Sequence, residues 1–514
     1  MFWRTRNNHI PEHNSATSSQ ARERLIVYLL CALAAARVLA LSAAFPLFNN
    51  VDEFFHYDYV WKCGHGSIPD PMELPAEEAT RVFATYGWSA WYMHSVEEII
   101  SEDVAPPLWT TPEDVRDSVI QTFVPEYRSI ANHETVQPPL YYATAGAWYR
   151  LGEYMGIPDR VLPFWVRFLN APLTALLVWV SYCIAKLFFP ENAFIRLGTP
   201  ALLSAIPQDA FYSISNSAMG PIIFTVALYA LALVFLDARR SHLTYAAAGL
   251  AAGASVITMY PAAAAAPVFA VVALAVLLRT RATGVFRPTL WNVVLLCCAA
   301  ALPVVAWLGR NYVVMGTPTA QPYYVSYAGW KPLEFSEMLN HPIFTTQGAT
   351  YFLREVLASY FRGEFFAQGK RLSCSWLDSI YVWSSLAFLL IAIVSFVQGP
   401  RGRRAVGLTS AALFALGIVS LVGASIRYDF GNWFCPSREM PYFVAGRLIY
   451  WTVVPFAFMY LTGMEVLLSR LRLGKIKFAV LIAFCGLMVG SDIVMSIPAF
   501  SATCNLFHLL PLNP

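Results

Sequence analysis

Charged residues are scarce in this sequence. Of its 514 residues, 13% are Asp, Glu, Lys or Arg, whereas a soluble globular protein has about 25%. Hydrophobic residues make up 57% of the chain, which excludes a water-facing surface of ordinary composition. The formal net charge of +3 is too small to indicate a nucleic-acid partner. The composition therefore predicts a polytopic membrane protein.

Internal repeats and a metal-binding cysteine pattern are also missing. Repeats are typical of secondary transporters. The nine cysteines do not have the spacing of a zinc site. Four of them fall in segments that we predict to lie outside the membrane, where they could form disulfides or remain unrelated thiols. These four are Cys63, Cys374, Cys435 and Cys504.

Eleven apolar segments match the roughly 20 residues that a helix needs to cross a bilayer. They are 25–47, 162–188, 197–214, 217–236, 243–259, 262–278, 290–308, 376–397, 405–425, 446–468 and 477–498. The shorter stretch 137–154 contains Gln, Arg and Tyr, which favours a helix at the interface. If it spanned instead, the orientation of everything after it would be inverted. The first segment suits an uncleaved signal anchor, although Ser42-Ala43-Ala44 would also suit cleavage.

The charge distribution predicts the orientation. With the N-terminus inside and 137–154 at the interface, the inside segments carry 18 basic residues, while 48–136 falls outside with 16 acidic and 4 basic residues. This agrees with the positive-inside rule. We predict a multi-pass cell (inner) membrane protein with the N-terminus in the cytoplasm.

The same assignment divides the chain into regions without an appended soluble domain. They are a disordered cytoplasmic tail (1–24), a transmembrane domain (25–498), extracytoplasmic loops at 48–161, 309–375 and 427–445, and an extracytoplasmic tail (499–514). The pattern at 76–102 predicts a helix that covers the membrane surface.

An acidic pair, Asp52-Glu53, follows directly after the first apolar segment, and His56 and Tyr57 come within the next helical turn. Carboxylates beside hydrocarbon are costly, so their presence suggests a functional site. They could act as a base, bind a metal or hold a cation. The alternative is a helix cap or a solvated helix end.

Further candidates lie at the predicted outer ends of other segments. Arginines there could hold a phosphate or extend to lipid head groups. At least one of Arg427, Arg438 and Arg447 is expected to pair with Asp429 or Glu439. Asp209 could be a second carboxylate of the site or a turn residue. The remaining candidates are Gln137, Tyr141, Tyr142, Tyr260, Arg310, Asn311, Arg427, Arg438 and Arg447.

These motifs resemble those of the GT-C superfamily of membrane glycosyltransferases, which includes protein O-mannosyltransferases and the lipid A aminoarabinose transferase. The matching residues are Asp52-Glu53 after the first helix and Gln137-Pro138-Pro139-Leu140 at the start of another. The closest likeness is to uncharacterised bacterial polytopic proteins of this type, through His56, Arg310 to Pro318 and Gly446-Arg447. Gln137 stands where His or Lys is commoner.

The resemblance implies a GT-C-like bundle of about 11 transmembrane helices, with juxtamembrane helices in its first outer loop. It also implies transfer of a sugar from a polyprenyl-phosphate donor to an extracytoplasmic glycan, lipid or protein acceptor, with inversion. Asp52 would be the general base, Glu53 or His56 would orient it or contact the sugar, and arginines would bind the phosphate. No cofactor is required, although Asp52, Glu53 and His56 could bind Mg or Mn.

Two other classes of function remain open at this point. A transporter or flippase of lipid-linked sugars would need charged or broken helices in the membrane, and Arg37 is the charge that we identify there. A non-catalytic subunit of a cell-envelope complex would not need the acidic pair.

Overall fold

The structure is a computed structural model that describes residues 13–49, 52–87, 108–281, 285–364, 366–367, 370–371, 373–432 and 436–509. Strands in this part of the chain are two-residue segments: β1 Lys331–Pro332, β2 Phe366–Ala367, β3 Lys370–Arg371 and β4 Tyr428–Asp429. They form two antiparallel pairs, β1 with β4 and β2 with β3. Most of the other described residues are helical, which confirms the all-α prediction.

The α-helices follow one another closely along the chain. They are α1 His13–Ala44, α2 Glu53–Gly64, α3 Glu77–Tyr86, α4 Glu113–Arg128, α5 Leu140–Tyr154, α6 Leu162–Phe168, α7 Asn170–Phe188, α8 Ala193–Ala205, α9 Gly220–Leu236, α10 His242–Val256, α11 Ala266–Arg281, α12 Phe286–Met315, α13 Gln321–Tyr327, α14 Phe335–Leu339, α15 Thr346–Arg362, α16 Ser375–Gln398, α17 Arg401–Ile426, α18 Val453–Arg470, α19 Lys477–Met495, α20 Ile497–Ser501 and α21 Leu506–Leu509.

Nine helical segments within the described ranges are long and apolar enough to cross a membrane. They correspond to nine of the eleven predicted segments. The other two, 197–214 and 243–259, contain the shorter helices α8 and α10, with 13 and 15 residues. At 1.5 Å per residue these helices are about 20 Å long, less than the roughly 30 Å of a bilayer core. The chain is a multi-pass membrane protein.

The short helix α8 ends beside a buried arginine. Arg37 of α1 donates hydrogen bonds to the carbonyls of Ala205 (3.5 Å) and Ile206 (2.8 Å), where the helix stops. It also pairs with Asp492 of α19 at 2.9 Å. Carbonyls at a helix end need partners when water is excluded, so this ion pair lets α8 end within the apolar bundle. Asp492 is a second buried intramembrane charge that the sequence analysis did not identify.

The short helix α10 is held against α12 by close backbone packing. A Cβ on Gly249 would be 2.2 Å from the Leu296 carbonyl oxygen, and one on Gly253 would be 2.3 Å from that of Ala300. Two small residues four apart allow such an approach between membrane helices.

Several smaller predictions differ from the structure or lie outside its described part. Helix α1 already begins at His13, within the tail predicted to be disordered, and residues 1–12 are not described. Of the predicted helix 76–102, α3 covers Glu77–Tyr86, and residues 88–102 are not described. Cys63, Cys374 and Cys504 are free thiols, while Cys435 lies outside the described residues.

The candidate site forms where the outer-loop elements meet one end of the helix bundle. Helix α2 packs tightly on α5, since a Cβ on Gly146 would be 2.6 Å from the backbone nitrogen of Gly64. A 3₁₀ segment, Gly446–Thr452, lies against the end of α15, where a Cβ on Gly446 would be 2.3 Å from the Tyr360 nitrogen. Asp52, before α2, and Arg447, in this 3₁₀ segment, meet at this end of the bundle.

Candidate functional site

The Asp52 carboxylate lies between two basic side chains. It occupies the N-cap position of α2, but its side chain makes no capping hydrogen bond there. One oxygen is 3.2 Å from Nε2 of His133, and the other is 3.9 Å from Nη2 of Arg447. The side chain is 28% exposed. The Asp52 side chain is thus accessible to another molecule, and of the candidates Arg310 and Arg447, Arg447 lies beside it.

His133 and Glu134 reach this site from a 3₁₀ turn, His133–Val136, that precedes α5. Asn132 caps the turn by accepting a hydrogen bond from the Glu134 nitrogen at 2.9 Å. The Asn132 amide in turn donates to the buried carboxylate of Asp58 at 2.7 Å. This arrangement ties the turn to α2, so His133 and Glu134 are held beside Asp52.

His56 and Tyr142 complete the polar cluster. Nδ1 of His56 is 2.8 Å from the Tyr142 hydroxyl and 3.4 Å from a Glu134 oxygen. The Tyr142 hydroxyl lies 3.5 Å from the same carboxylate. The predicted residues His56 and Tyr142 therefore lie in the cluster around Glu134.

The surroundings of Asp52 favour its charged form. Burial acts to raise its pKa, but the hydrogen bond with His133 and the positive charges of His133, Arg447 and His56 together lower it to about 2. For His133, burial acts to lower the pKa, while Asp52 and Glu134 raise it above 6.5. Asp52 is therefore ionised at any physiological pH.

Arg447 connects this cluster to a second group of carboxylates. Its Nη1 lies 3.4 Å from Glu364. The Glu364 backbone nitrogen donates to Asp209 at 2.6 Å. Burial raises the pKa of Asp209 to about 6, although Arg447 acts in the opposite direction. Its other oxygen is buried and has no hydrogen-bond partner among the described residues. Asp209 thus lies next to the site but is not exposed to it.

Glu53 lies away from the cluster, contrary to the expectation that it would orient the base or contact the sugar. Its side chain is fully buried and binds Arg167 through both oxygens, at 2.7 and 2.6 Å. It also accepts a hydrogen bond from the Ile214 nitrogen at 2.8 Å. Arg167 donates further to the carbonyls of Phe45 and Pro46. Glu53 therefore holds the end of α1 in place.

Three predicted substrate contacts in the first loop also have packing partners. Tyr57 is 1% exposed and packs on Phe48, with the ring centroids 5.5 Å apart. The Tyr141 hydroxyl accepts a hydrogen bond from the Ser215 nitrogen. The Gln137 carbonyl accepts one from Tyr59 at 3.4 Å. Gln137 also donates a backbone hydrogen bond to the Glu134 carbonyl at 3.0 Å, and the Tyr141 ring lies 5.3 Å from that of Tyr142. These two residues therefore border the cluster and support it, and direct side-chain contacts with Asp52 are not found for any of the three in the described part of the chain.

The other predicted arginines have local partners. Arg310 pairs with Asp70 at 3.0 Å, and Arg438 pairs with Asp429 at 2.7 Å, the second as expected. Arg427 lies over the ring of its neighbour Tyr428. Of the four predicted arginines, Arg447 is the one that contacts Asp52 among the residues described.

Two further predicted residues lie beside Arg310. The Asn311 amide donates to the Pro318 carbonyl at 3.4 Å, and the Tyr260 hydroxyl accepts a hydrogen bond from Trp307 at 2.8 Å. They support the end of α12, away from the carboxylate cluster.

Aromatic rings form a wall beside His133. The centroids of Phe55, Tyr324 and Tyr327 lie 4.6, 6.0 and 6.2 Å from that of the imidazole. The two tyrosines come from the short helix α13, in a different outer loop. An apolar ring face next to carboxylates suits a ligand with both apolar and polar sides.

Three side chains of the cluster could bind a metal ion. Each of Asp52, His133 and Glu134 offers a ligand atom, and these atoms lie within 4.8 Å of one another. Two carboxylates and an imidazole fit Mn²⁺ better than Mg²⁺, which prefers oxygen ligands. The predicted set of Asp52, Glu53 and His56 does not form such a group, because Glu53 is bound to Arg167.

Sequence reasoning missed His133, Glu134, Glu364 and Arg167. A signal was present for the first two, since Asn132-His133-Glu134 is a polar triplet directly before the Pro138-Pro139 element. Arg167 is a charge inside a predicted membrane segment, which is itself unusual. Glu364 has no comparable sequence signal, because its link to Arg447 depends on folding.

Comparisons with known proteins give a distant likeness to a solved structure. No protein-family model and no curated protein matches the chain. Among solved structures, the chain is similar to the crystal structure of the Archaeoglobus fulgidus oligosaccharyltransferase in the apo form, with 12% identity and a TM-score of 0.39. The match covers 93% of this chain and 56% of the archaeal chain, so this chain spans little more than half of it. At this identity and TM-score, the likeness carries no argument about activity. The described residues themselves establish an all-α multi-pass membrane protein with a carboxylate–histidine–arginine cluster at one end.

Proposed function

We propose that this protein is a membrane glycosyltransferase. It would move a sugar from a polyprenyl-phosphate donor to an extracytoplasmic acceptor, with inversion at the anomeric carbon. The observation that carries the proposal is the half-buried, ionised Asp52 carboxylate, 3.9 Å from the Arg447 guanidinium. This pair places a proton acceptor and a phosphate-binding group side by side.

The chemistry divides between these two residues. The acceptor hydroxyl oxygen attacks the anomeric carbon, and the bond from that carbon to the phosphate oxygen breaks. The hydroxyl proton passes to Asp52, and polyprenyl phosphate leaves with the bonding electrons. Arg447 stabilises the negative charge on this leaving group.

With a pKa of about 2, the Asp52 carboxylate is a weak base in the free protein. The proposal therefore requires that Asp52 becomes more basic when the donor binds. A donor phosphate next to Arg447 would neutralise the charge that now stabilises ionised Asp52. The pKa of Asp52 would then rise, because part of the attraction that lowers it would be lost. Asp52 would thus be a stronger base in the complex with the donor than in the free protein.

Other cluster residues would position these groups. Glu364 contacts the terminal nitrogen of Arg447 that does not contact Asp52, and Asp209 accepts a hydrogen bond from the Glu364 backbone nitrogen. Tyr324 and Tyr327 would pack against the sugar or the acceptor. The predicted contacts of Arg310, Arg427 and Arg438 with the donor are not part of this proposal, since each of the three has a local partner.

A divalent cation at Asp52, His133 and Glu134 is compatible with the same reaction. When bound, it would supply positive charge to the donor phosphate. Asp52 would then be a ligand, and the acceptor would need another carboxylate. Addition of a chelator, followed by Mn²⁺ or Mg²⁺, distinguishes the two cases.

The test is a transfer assay on purified protein. Radiolabelled polyprenyl-phosphate sugars are offered with glycan, lipid and peptide acceptors, and wild type is compared with Asp52→Asn. Asp429→Asn is the matched control, because Asp429 is an outer-loop carboxylate paired with Arg438. We expect Asp52→Asn to lose about 10²–10⁴-fold in rate and the control to retain full activity.

Two outcomes would overturn the proposal. Equal rates for wild type and folded Asp52→Asn would exclude Asp52 as the base. Movement of the intact lipid-linked sugar across a vesicle membrane without transfer would favour the flippase alternative.

A further inference from the structure

A cavity with apolar walls lies between five membrane helices. It has a volume of about 90 Å³ and is lined by the later parts of α7 and α9, the first half of α11 and the early turns of α17 and α18. Its walls include Phe235, Phe269, Val272 and Val406. An apolar cavity of about 150 Å³ is known to stay dry and take up an apolar molecule. The present cavity is smaller than that one, so it suits part of a hydrocarbon chain.

Basic side chains lie close to the part of the cavity lined by Phe235 and Ala405, which we call its mouth. The Arg279 guanidinium lies 5.3 Å above the ring of Phe235, one of the lining residues. Arg401 precedes the lining residue Ala405 by one helical turn, and Arg403 lies three residues before Val406. All three arginines are exposed.

Ion pairs are few at this mouth. Asp237 is the acidic residue at the end of α9, and it pairs with Arg240 at 3.7 Å. In the described ranges, no carboxylate forms a salt bridge with Arg279, Arg401 or Arg403. Their charges are therefore available to an anion at the membrane surface, since long basic side chains extend to the head-group level.

We infer that this cavity and its three arginines form a binding site for an anionic phospholipid. One acyl chain would enter between α11 and its neighbours α9 and α17, and the phosphate would contact Arg279, Arg401 and Arg403. Basic pockets between membrane helices on the cytoplasmic side are known to bind anionic head groups. The packing of α11 is compatible with this site. Val276 and Thr280 are its buried residues, and its other side chains are exposed or half-buried, so an acyl chain has access to the space beside this helix.

The experiment is native mass spectrometry of the detergent-purified full chain with added lipids. Phosphatidylglycerol and phosphatidylcholine with identical acyl chains are compared, together with glycerol phosphate and undecaprenyl phosphate. We expect phosphatidylglycerol to bind about 10-fold more tightly than phosphatidylcholine, as two or more arginines near a phosphate imply. Glycerol phosphate should not compete.

Two pairs of variants test the two halves of the site. The double variant Arg279→Gln/Arg401→Gln should lose this preference, whereas Arg470→Gln/Arg472→Gln, with the same charge change elsewhere, should keep it. Val272→Phe fills the cavity and should reduce binding, while Val271→Phe changes the neighbouring residue, which is 65% exposed, and should not.

Several results would overturn the inference. Equal binding of both phospholipids would exclude an anionic site, and unchanged binding in Val272→Phe would exclude the cavity. Preferential binding of undecaprenyl phosphate would assign the cavity to the donor lipid. If Val272→Phe does not fold, the charge variants alone still decide whether the site is anionic.

Discussion

At the residue scale, the two carboxylates of Asp52-Glu53 lie in different environments. Successive residues on a helix point about 100° apart, so neighbours in sequence do not face the same side. Asp52 faces His133 and Arg447, whereas Glu53 is buried against Arg167. The sequence indicated that the pair was important but not that one member supports the fold and the other lines the candidate site.

Replacing Glu53 tests its role in the fold. Glu53→Gln leaves Arg167 buried without a charged partner, and breaking a buried ion pair costs about 3–5 kcal/mol. We expect a decrease of this size in the free energy of unfolding, measured by denaturant titration in detergent micelles. Asp429→Asn breaks an exposed pair and should change little. A fully stable Glu53→Gln protein with lost transfer would instead indicate a role in the reaction.

The His133–Asp52 pair predicts a pH dependence of stability. The pKa of His133 is raised above 6.5 in the folded protein. The stabilisation of the folded state by His133 is therefore fully present below that pH and is lost as the pH rises through the raised pKa. The pKa of Asp52 is lowered to about 2, and its contribution is lost only as the pH falls below 3.8 towards that value. Between about pH 5 and 9, His133 is thus the member of the pair that titrates.

The measurement compares wild type with His133→Asn by thermal unfolding at several pH values. We expect the stability difference between them to be largest near about pH 5.5 and to shrink towards about pH 9. A difference that does not change with pH would show that folding does not shift the pKa of His133.

At the scale of elements, a glycine hinge links α15 to the site. Gly363 has φ of 72° and ψ of −154°, a conformation that is essentially limited to glycine. A Cβ there would lie 2.2 Å from the Asp209 carboxyl group. Gly363 places Glu364 between Asp209 and Arg447. The backbone conformation at Gly363 therefore determines where the Glu364 side chain meets Arg447.

Alanine at this hinge should be more harmful than at another glycine with positive φ. Gly316 also has φ of 72°, but its Cβ position is open. We expect Gly316→Ala to cost about 1 kcal/mol and Gly363→Ala about 1–3 kcal/mol, with a loss of transfer for Gly363→Ala alone. Unfolding and transfer assays on both variants check this. Equal effects would show that the contact with Asp209 is unimportant.

At the scale of the whole molecule, the basic residues predict which end of the bundle faces the cytoplasm. Arg401 and its neighbours lie at one end, and the Asp52 cluster lies at the other. The positive-inside rule assigns the first end to the cytoplasm and the second to the outside.

Labelling of single cysteines tests this orientation. In a variant without native cysteines, Ser67→Cys in the first outer loop should react with a membrane-impermeant maleimide in intact cells. Gly402→Cys should react only after the membrane is permeabilised. The reverse pattern would place the candidate site in the cytoplasm and exclude an extracytoplasmic acceptor.

The sequence by itself determined the class of the protein and the approximate location of the site. Long apolar segments have few stable alternatives to membrane helices, because hydrocarbon offers the backbone no hydrogen bonds. The costly position of Asp52 beside such a segment was likewise visible without a structure. The short helices α8 and α10 were predicted as full spans, because hydropathy does not show where Arg37 or a pair of glycines permits a shorter one.

Only the tertiary structure decided which residues surround Asp52. His133 comes from a turn 81 positions later, and Arg447 comes from the 3₁₀ segment that opens a membrane segment hundreds of residues away. Arg310, Arg427 and Arg438 looked equivalent to Arg447 in the sequence, but local partners hold them elsewhere. Partners in a buried or half-buried site are selected by packing between distant segments, and a pattern of neighbouring residues contains no information about those contacts.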